Sequence, residues 1–284
     1  MHGALIAELE QPPEPAEVDD LHGVRIVAVA LNPLDLSVGN GVFYGGHPPL
    51  PYAPGCEAVG RLDDGSLVYL FGDGRGVSKS GFLAERVEVA PELCLRLPDG
   101  VEPALAAAAG IAGIAAWVPV AWKAQVRPED RVLVLGGTGT VGKLAAQAAT
   151  LLGAATVVAV GSKELELIER EFADGGFTVC IDPVWGEPLA RALRFARPHA
   201  RIVHLGQAAG AEAPLRSADV RGKELAILGH SNFALTKEER DRAYLELLDH
   251  LAAGRMTLEY QTFSLDDVAA AWQNQRGGKS VVLL

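Results

Sequence analysis

The sequence has 284 residues, enough for two domains of ordinary size, and 25 Lys+Arg against 36 Asp+Glu give a formal net charge of −11, which argues against a nucleic-acid-wrapping surface. Apolar residues make up 49% and charged residues 21%, a composition that folds around cores rather than staying disordered. The cysteines Cys56, Cys94 and Cys180 are widely spaced and odd in number, so a disulfide framework is not expected.

No basic start precedes the acid Glu8, so a secretory signal is not expected and the cytoplasm is the expected compartment. Up to about Gly100 the chain reads as short extended runs, such as Val24–Val29, cut by Asn32-Pro33, Gly39-Asn40-Gly41, Pro48-Pro49 and Asp63-Asp64-Gly65. Gln11–Pro15 reads as a surface turn or loop. Pro103–Trp122 carries no charge, but it is rich in Ala and Gly, contains Pro119 and lacks a basic flank, so it is predicted as buried helix and not a membrane span.

From Val101 onward apolar strands alternate with helical periodicity. Val132–Leu135, Thr156–Val160, Phe177–Ile181, Ile202–Leu205 and a candidate at Leu225–Gly229 are the near-continuously apolar runs of a parallel sheet covered by helices. Val141, Leu144, Ala145, Ala148, Leu151 and Leu152 form one helical face, and Gly153 is placed to end that helix. The charge run Lys237–Arg242 reads as a solvated helix face. After Gly254 the pattern returns as strand, helix and strand: Leu258–Phe263, Leu265–Trp272 and Ser280–Leu284.

The chemistry concentrates at Gly136-Gly-Thr-Gly-Thr-Val-Gly142, where Gly137, Gly139 and Gly142 fit G-x-G-x-x-G between a strand and an amphipathic helix. Glycines there permit a tight turn, close approach of backbone to a pyrophosphate, and tight helix–strand packing, while the helix start offers free amides to an anion. Gly137, Thr138, Gly139, Thr140, Val141 and Gly142 are therefore candidate dinucleotide contacts. The second strand ends at Val160-Gly161-Ser162-Lys163, where Ser162 and Lys163 suit a 2′-phosphate, so NADPH is the expected cofactor; Glu164 keeps NADH open.

Ala30–Asp35, Pro51–Gly60, Val132–Gly142, Arg201–Gly206 and Gly278–Leu283 occur in an order that resembles the medium-chain dehydrogenase/reductase family, specifically its zinc-free quinone oxidoreductase branch. The resemblance covers almost the whole chain and implies an α/β fold. Its parts are a GroES-like β-barrel at residues 1–100 completed by 255–284, and a doubly wound Rossmann sheet at 101–254. Asn32 and Cys56 stand where that family's zinc-dependent members have two of their ligands, and Ala108–Gly113 offers no third thiol, so no metal is expected.

Hydride addition to a carbonyl compound builds negative charge on oxygen, which then needs a hydrogen-bond donor or proton source. The resemblance implies Asn32 and Tyr44 for that role, with Asp35 on the same segment; Asn32-Pro33 and Asp35 also suit a mere turn and its brace. It further implies that backbone at Gly206 and Gln207 meets the nicotinamide end, that Asn232 is a weaker cofactor contact, and that a homodimer pairs the strand at Leu225–Leu228. His204 reads as a packed core residue. One departure stands out: Leu165–Phe172 runs through Ala173–Gly176 straight into Phe177–Asp182, leaving no room for the βα unit that would carry the third strand. The second strand should then be an edge. The expected activity is NADPH-dependent reduction of a quinone, enone or related carbonyl, with a non-catalytic NADP(H) sensor and a zinc alcohol dehydrogenase as alternatives.

Overall fold

The computed structural model describes residues 1–19, 22–275 and 277–284. The chain divides into two compact units, Met1–Ile111 with Leu258–Leu284, and Ala112–Thr257.

The first unit opens with β1 (His2–Leu5), which pairs antiparallel with β2 (Glu14–Glu17), so the segment predicted as a surface turn ends in a strand. Pro15 is tolerated there because the pair has only two strands and a free side. In β3 (Val24–Leu31) burial alternates at first and then becomes continuous from Ala28 onward. A helix that the turn-rich sequence concealed follows at once: α1 (Pro33–Gly39) has Asn32 as an extended N-cap, and Pro33 occupies the first helical position, where a missing N–H costs no hydrogen bond. β4 (Glu57–Arg61) and β5 (Leu67–Phe71) form an antiparallel hairpin. β6 (Arg86–Val87), β7 (Cys94–Arg96) and α2 (Pro103–Ala108) complete the N-terminal stretch, α2 being capped by the Glu102 carboxylate on the Ala104 and Leu105 amides.

The uncharged stretch predicted as buried helix is broken: α2 gives way to α3 (Ile111–Trp117) and then to a π-helical turn, Val118–Lys123, that contains Pro119. Among the described residues no helix is long and apolar enough to cross a membrane.

The second unit alternates strands and helices: β8 (Arg131–Leu135), α4 (Thr140–Leu151), β9 (Thr156–Val160), α5 (Glu166–Phe172), β10 (Phe177–Asp182), α6 (Gly186–Ala192), β11 (Ala196–His204), α7 (Ser217–Gly222), β12 (Ala226–Gly229) and α8 (Lys237–Ala252). The strands are parallel in the order β12-β11-β10-β8-β9. Relative to the doubly wound 3-2-1-4-5-6 order, this is the sheet without its third strand, and β9 is an edge with Ala159 exposed. The short link at 173–176 turns on Gly175 and Gly176, both at positive φ, and brings the Phe172 ring edge-on to Phe177 at 5.7 Å. Leu133, Leu135, Val160, Ile168, Cys180 and Ile202 lie in the core between this sheet and its helices.

Beyond Thr257 the chain returns to the first unit as β13 (Tyr260–Ser264), α9 (Val268–Asn274) and β14 (Lys279–Leu283). β14 pairs antiparallel with β3, which completes a mixed seven-stranded sheet in the order β13-β14-β3-β4-β5-β7, with β6 also on β3. The join places Lys279 within reach of Asn32, although 247 residues separate them.

Candidate functional site

The loop between β8 and α4 has the geometry of an anion cradle. Gly136 takes a positive φ of 64°, Gly137 donates its amide to the Val160 carbonyl at 2.9 Å, and Gly139 donates to Gly136 at 3.0 Å. A Cβ on Gly137 would stand 2.7 Å from that of Ala159, and one on Gly142 only 2.2 Å from the Gly136 oxygen, so both positions require glycine. α4 begins at Gly139 with no side-chain cap, which leaves the amides of Thr140, Val141 and Gly142 at the positive end of a twelve-residue helix. Thr138 and Gly139 are exposed. These residues fit a dinucleotide pyrophosphate by the chemistry of their donors.

Beside the loop, β9 ends at Gly161, whose Cβ would meet the Thr138 methyl at 2.8 Å, so the two turns touch. Ser162 and Lys163 are exposed there. The Glu164 carboxylate folds back to accept the Gly161 amide at 3.1 Å, which puts a negative charge at the same corner. Gly206 follows β11, packed so tightly that a Cβ would lie 2.6 Å from the Pro183 oxygen, and Gln207 beside it is exposed. Asn232 is a different case. It is buried, and its Oδ1 accepts the Nε2–H of His230 at 2.9 Å, so the expected cofactor contact is instead a partner of a buried histidine. Burial pushes the His230 pKa down to about 4, against the hydrogen bond to Asn232, which raises it.

In the first unit, Asn32 is only 2% exposed and its amide is fully engaged. Nδ2 donates to Glu57 at 2.8 Å and to the Ala30 carbonyl at 3.3 Å, while Oδ1 accepts the Lys279 ammonium at 2.6 Å. The expectation of a free Asn32 donor is therefore corrected: its hydrogen bonds hold a buried ion pair, Lys279 with Glu57 at 3.3 Å. Glu57 also accepts the Tyr69 hydroxyl at 2.7 Å and the Ile111 amide at 2.6 Å. Asp35 is a brace, accepting the Asn32 amide at 2.7 Å and the Gly55 and Cys56 amides at 3.1 and 2.9 Å. Burial raises its pKa, opposed by hydrogen bonds from Cys56 and Asn32. Tyr44 does not join this network: it is 88% exposed in the turn after α1, its ring against Phe43. Sequence reading missed Glu57, Tyr69 and Lys279, since no short spacing links them.

The same residues do not fit a zinc ion. Asn32 offers only a neutral amide oxygen, already facing the Lys279 ammonium at 2.6 Å, and Cys56 is fully buried with its thiol pushed well above the usual range by burial and by Asp35. Among the described residues no group of three His, Cys, Asp or Glu side chains could hold a metal.

Residues 152–281 match the family model described as zinc-binding dehydrogenase. Human quinone oxidoreductase is 25% identical over 92% of this chain and 88% of its own. One subunit of the phenolphthiocerol/phthiocerol polyketide synthase of Mycobacterium tuberculosis is 27% identical over 90% of the chain, which spans only 13% of that protein's length. The crystal structures of the quinone oxidoreductase of Thermus thermophilus and its complex with NADPH include a chain that superposes with a TM-score of 0.83 at 28% identity, each chain covered completely. Together with the five-stranded parallel sheet and its glycine loop, these likenesses make the chain similar to quinone-oxidoreductase-like members of the medium-chain dehydrogenase/reductase family.

Proposed function

We propose that this chain transfers hydride from NADPH to a quinone, enone or related carbonyl compound without zinc. The observation that carries this reading is the uncapped start of α4 behind Gly137, Gly139 and Gly142, where a side chain in place of Gly142 would strike the Gly136 carbonyl. The NADPH complex of the Thermus thermophilus relative and the quinone oxidoreductase name of the human one support it.

When bound, the reduced nicotinamide supplies a hydride. The backbone at 137–142 binds the diphosphate, Ser162 and Lys163 meet the 2′-phosphate, and Gly206 and Gln207 meet the nicotinamide end. Asn32 and Asp35 act by positioning, since both are buried and held in internal hydrogen bonds. The exposed Tyr44 phenol is the group of that segment free to donate a bond to substrate oxygen. The exposed edge of β12, with Ala226, Leu228 and Gly229 open, supports a homodimer, and the cytoplasm is the proposed compartment.

A second reading, a non-catalytic NADP(H) sensor, draws support from the lost third strand, which leaves β9 at the edge. Fluorescence titration with NADPH, followed by NADPH oxidation with a panel of quinones and enones, separates the two. Binding with turnover that drops in Tyr44→Phe fits the enzyme. Binding without turnover fits the sensor, and absence of binding sinks both.

A further inference from the structure

His204, which the sequence pattern assigns to the core, is not core. Its side chain is 29% exposed, and its Nδ1 lies 3.2 Å from Oδ2 of Asp182, a fully buried carboxylate. The other oxygen of Asp182 accepts the amides of Val184 and Trp185 at 3.0 and 2.8 Å, which fixes the carboxylate in place. Trp185 lays its indole against the imidazole, centroids 4.1 Å apart, from a backbone at φ 60°, ψ −160°, a region that residues other than glycine rarely occupy. Strain of this kind persists only where the surroundings enforce it, and here it holds a ring over a histidine.

The cluster stands at the C-terminal edge of the parallel sheet, where doubly wound folds hold ligands. Asp182 pairs with His204 between β10 and β11, one step beyond the Ile181–Val134 pair that links β10 to β8. The turn after β10 also meets the glycine loop, since a Cβ on Gly136 would lie 3.0 Å from a Val184 methyl. A dinucleotide held with its diphosphate on that loop would place its nicotinamide half toward the C-terminal ends of β10 and β11, where doubly wound folds hold ligands.

We infer that His204, oriented by Asp182, is a proton donor for the anion left by hydride transfer, an inference that rests on the coenzyme reading above. Nδ1–H is committed to the carboxylate, while Nε2 makes no hydrogen bond among the described residues. The hydride delivers two electrons and forms one C–H bond on the substrate. The imidazolium Nε2–H bond then breaks as the anion gains its proton, and water reprotonates the ring. The charged and titratable groups around His204 are Asp182 on β10 and, on the β12 side, Lys123, bonded to the Gly229 carbonyl, and His230, whose amide donates to the His204 carbonyl.

The test combines kinetics of His204→Gln and His204→Ala with NMR of the imidazole in the full chain, with and without NADP+. The expected result is a fall in kcat of about 100-fold with NADPH affinity within threefold, partial rescue of His204→Ala by free imidazole, and a His204 resonance that moves when NADP+ binds. NADPH bound by wild type and by His204→Gln, with kcat within twofold at every pH and an unmoved resonance, overturns this proposal alone. A wild-type chain that binds no NADPH overturns the coenzyme reading and the proposal with it.

Discussion

Replacing Lys279 by Met removes the cation from a site where it is 4% exposed and Glu57 is wholly buried. The ammonium is bonded to Asn32 Oδ1, the Leu31 carbonyl and Glu57 Oε1 at 2.6, 3.2 and 3.3 Å, so its loss strands two acceptors as well as a charge. Removing one member of a buried pair costs roughly 3–5 kcal/mol. Glu57 keeps donors from Asn32, Tyr69 and Ile111, which places the expected loss near the lower end, about 3 kcal/mol. Because the network lies within the first unit, urea unfolding followed by circular dichroism should show the earlier transition for that unit, while the glycine-loop unit changes little. The double variant Glu57→Gln/Lys279→Met should lose less than the sum of the single losses, because neither remaining side chain is then an unpaired charge. A loss below about 1 kcal/mol for Lys279→Met would refute the assignment of Asn32 as the holder of an ion pair that stabilises the fold.

Three further outcomes follow from the same geometry. Gly142→Ala should weaken NADPH binding by at least about tenfold, since its Cβ would stand 2.2 Å from the Gly136 oxygen; isothermal titration of the purified variant measures it, and unchanged affinity contradicts the cradle. Glu164→Gln should favour NADPH over NADH by roughly fivefold, the effect of relieving about 1 kcal/mol of repulsion between like charges about 4 Å apart in water, and the ratio of the two dissociation constants reports it. For His230, burial lowers the pKa from 6.5 to about 4, so neutral imidazole is favoured in the folded state. The stability this gives is fully present above pH 6.5 and is lost as pH falls from there to about 4, an effect of roughly 2–3 kcal/mol; denaturation from pH 7 to 4 should show a shallower pH dependence in His230→Leu than in wild type.

β8, β9 and β10 were legible as near-continuously apolar runs, and the phosphate loop because three glycines sit at fixed offsets between a strand and a helix; of β11 only its apolar end from Ile202 was legible, because its first half, Ala196–Arg201, carries Arg197, Pro198, His199 and Arg201. The missing third strand was legible too, as a plain shortage of residues between Phe172 and Phe177. α1 was hidden by its own cap, since Asn32-Pro33 is as good a turn signal as a helix start. Asn32 looks like a free donor in sequence because its partners, Glu57 and Lys279, lie 25 and 247 residues away and meet it only once β14 pairs with β3. His204 reads as core because it continues an apolar run, and nothing near it in sequence announces Asp182, 22 residues earlier on the neighbouring strand.

The central claim is that the main chain at 137–142 grips the diphosphate of NADPH, and a crystal structure of the chain soaked with NADPH tests it most directly. Phosphate oxygens are expected within hydrogen-bond distance of amides at the start of α4, with the 2′-phosphate beside Ser162 and Lys163. Coenzyme density elsewhere, or an empty glycine loop at saturating NADPH, would contradict it.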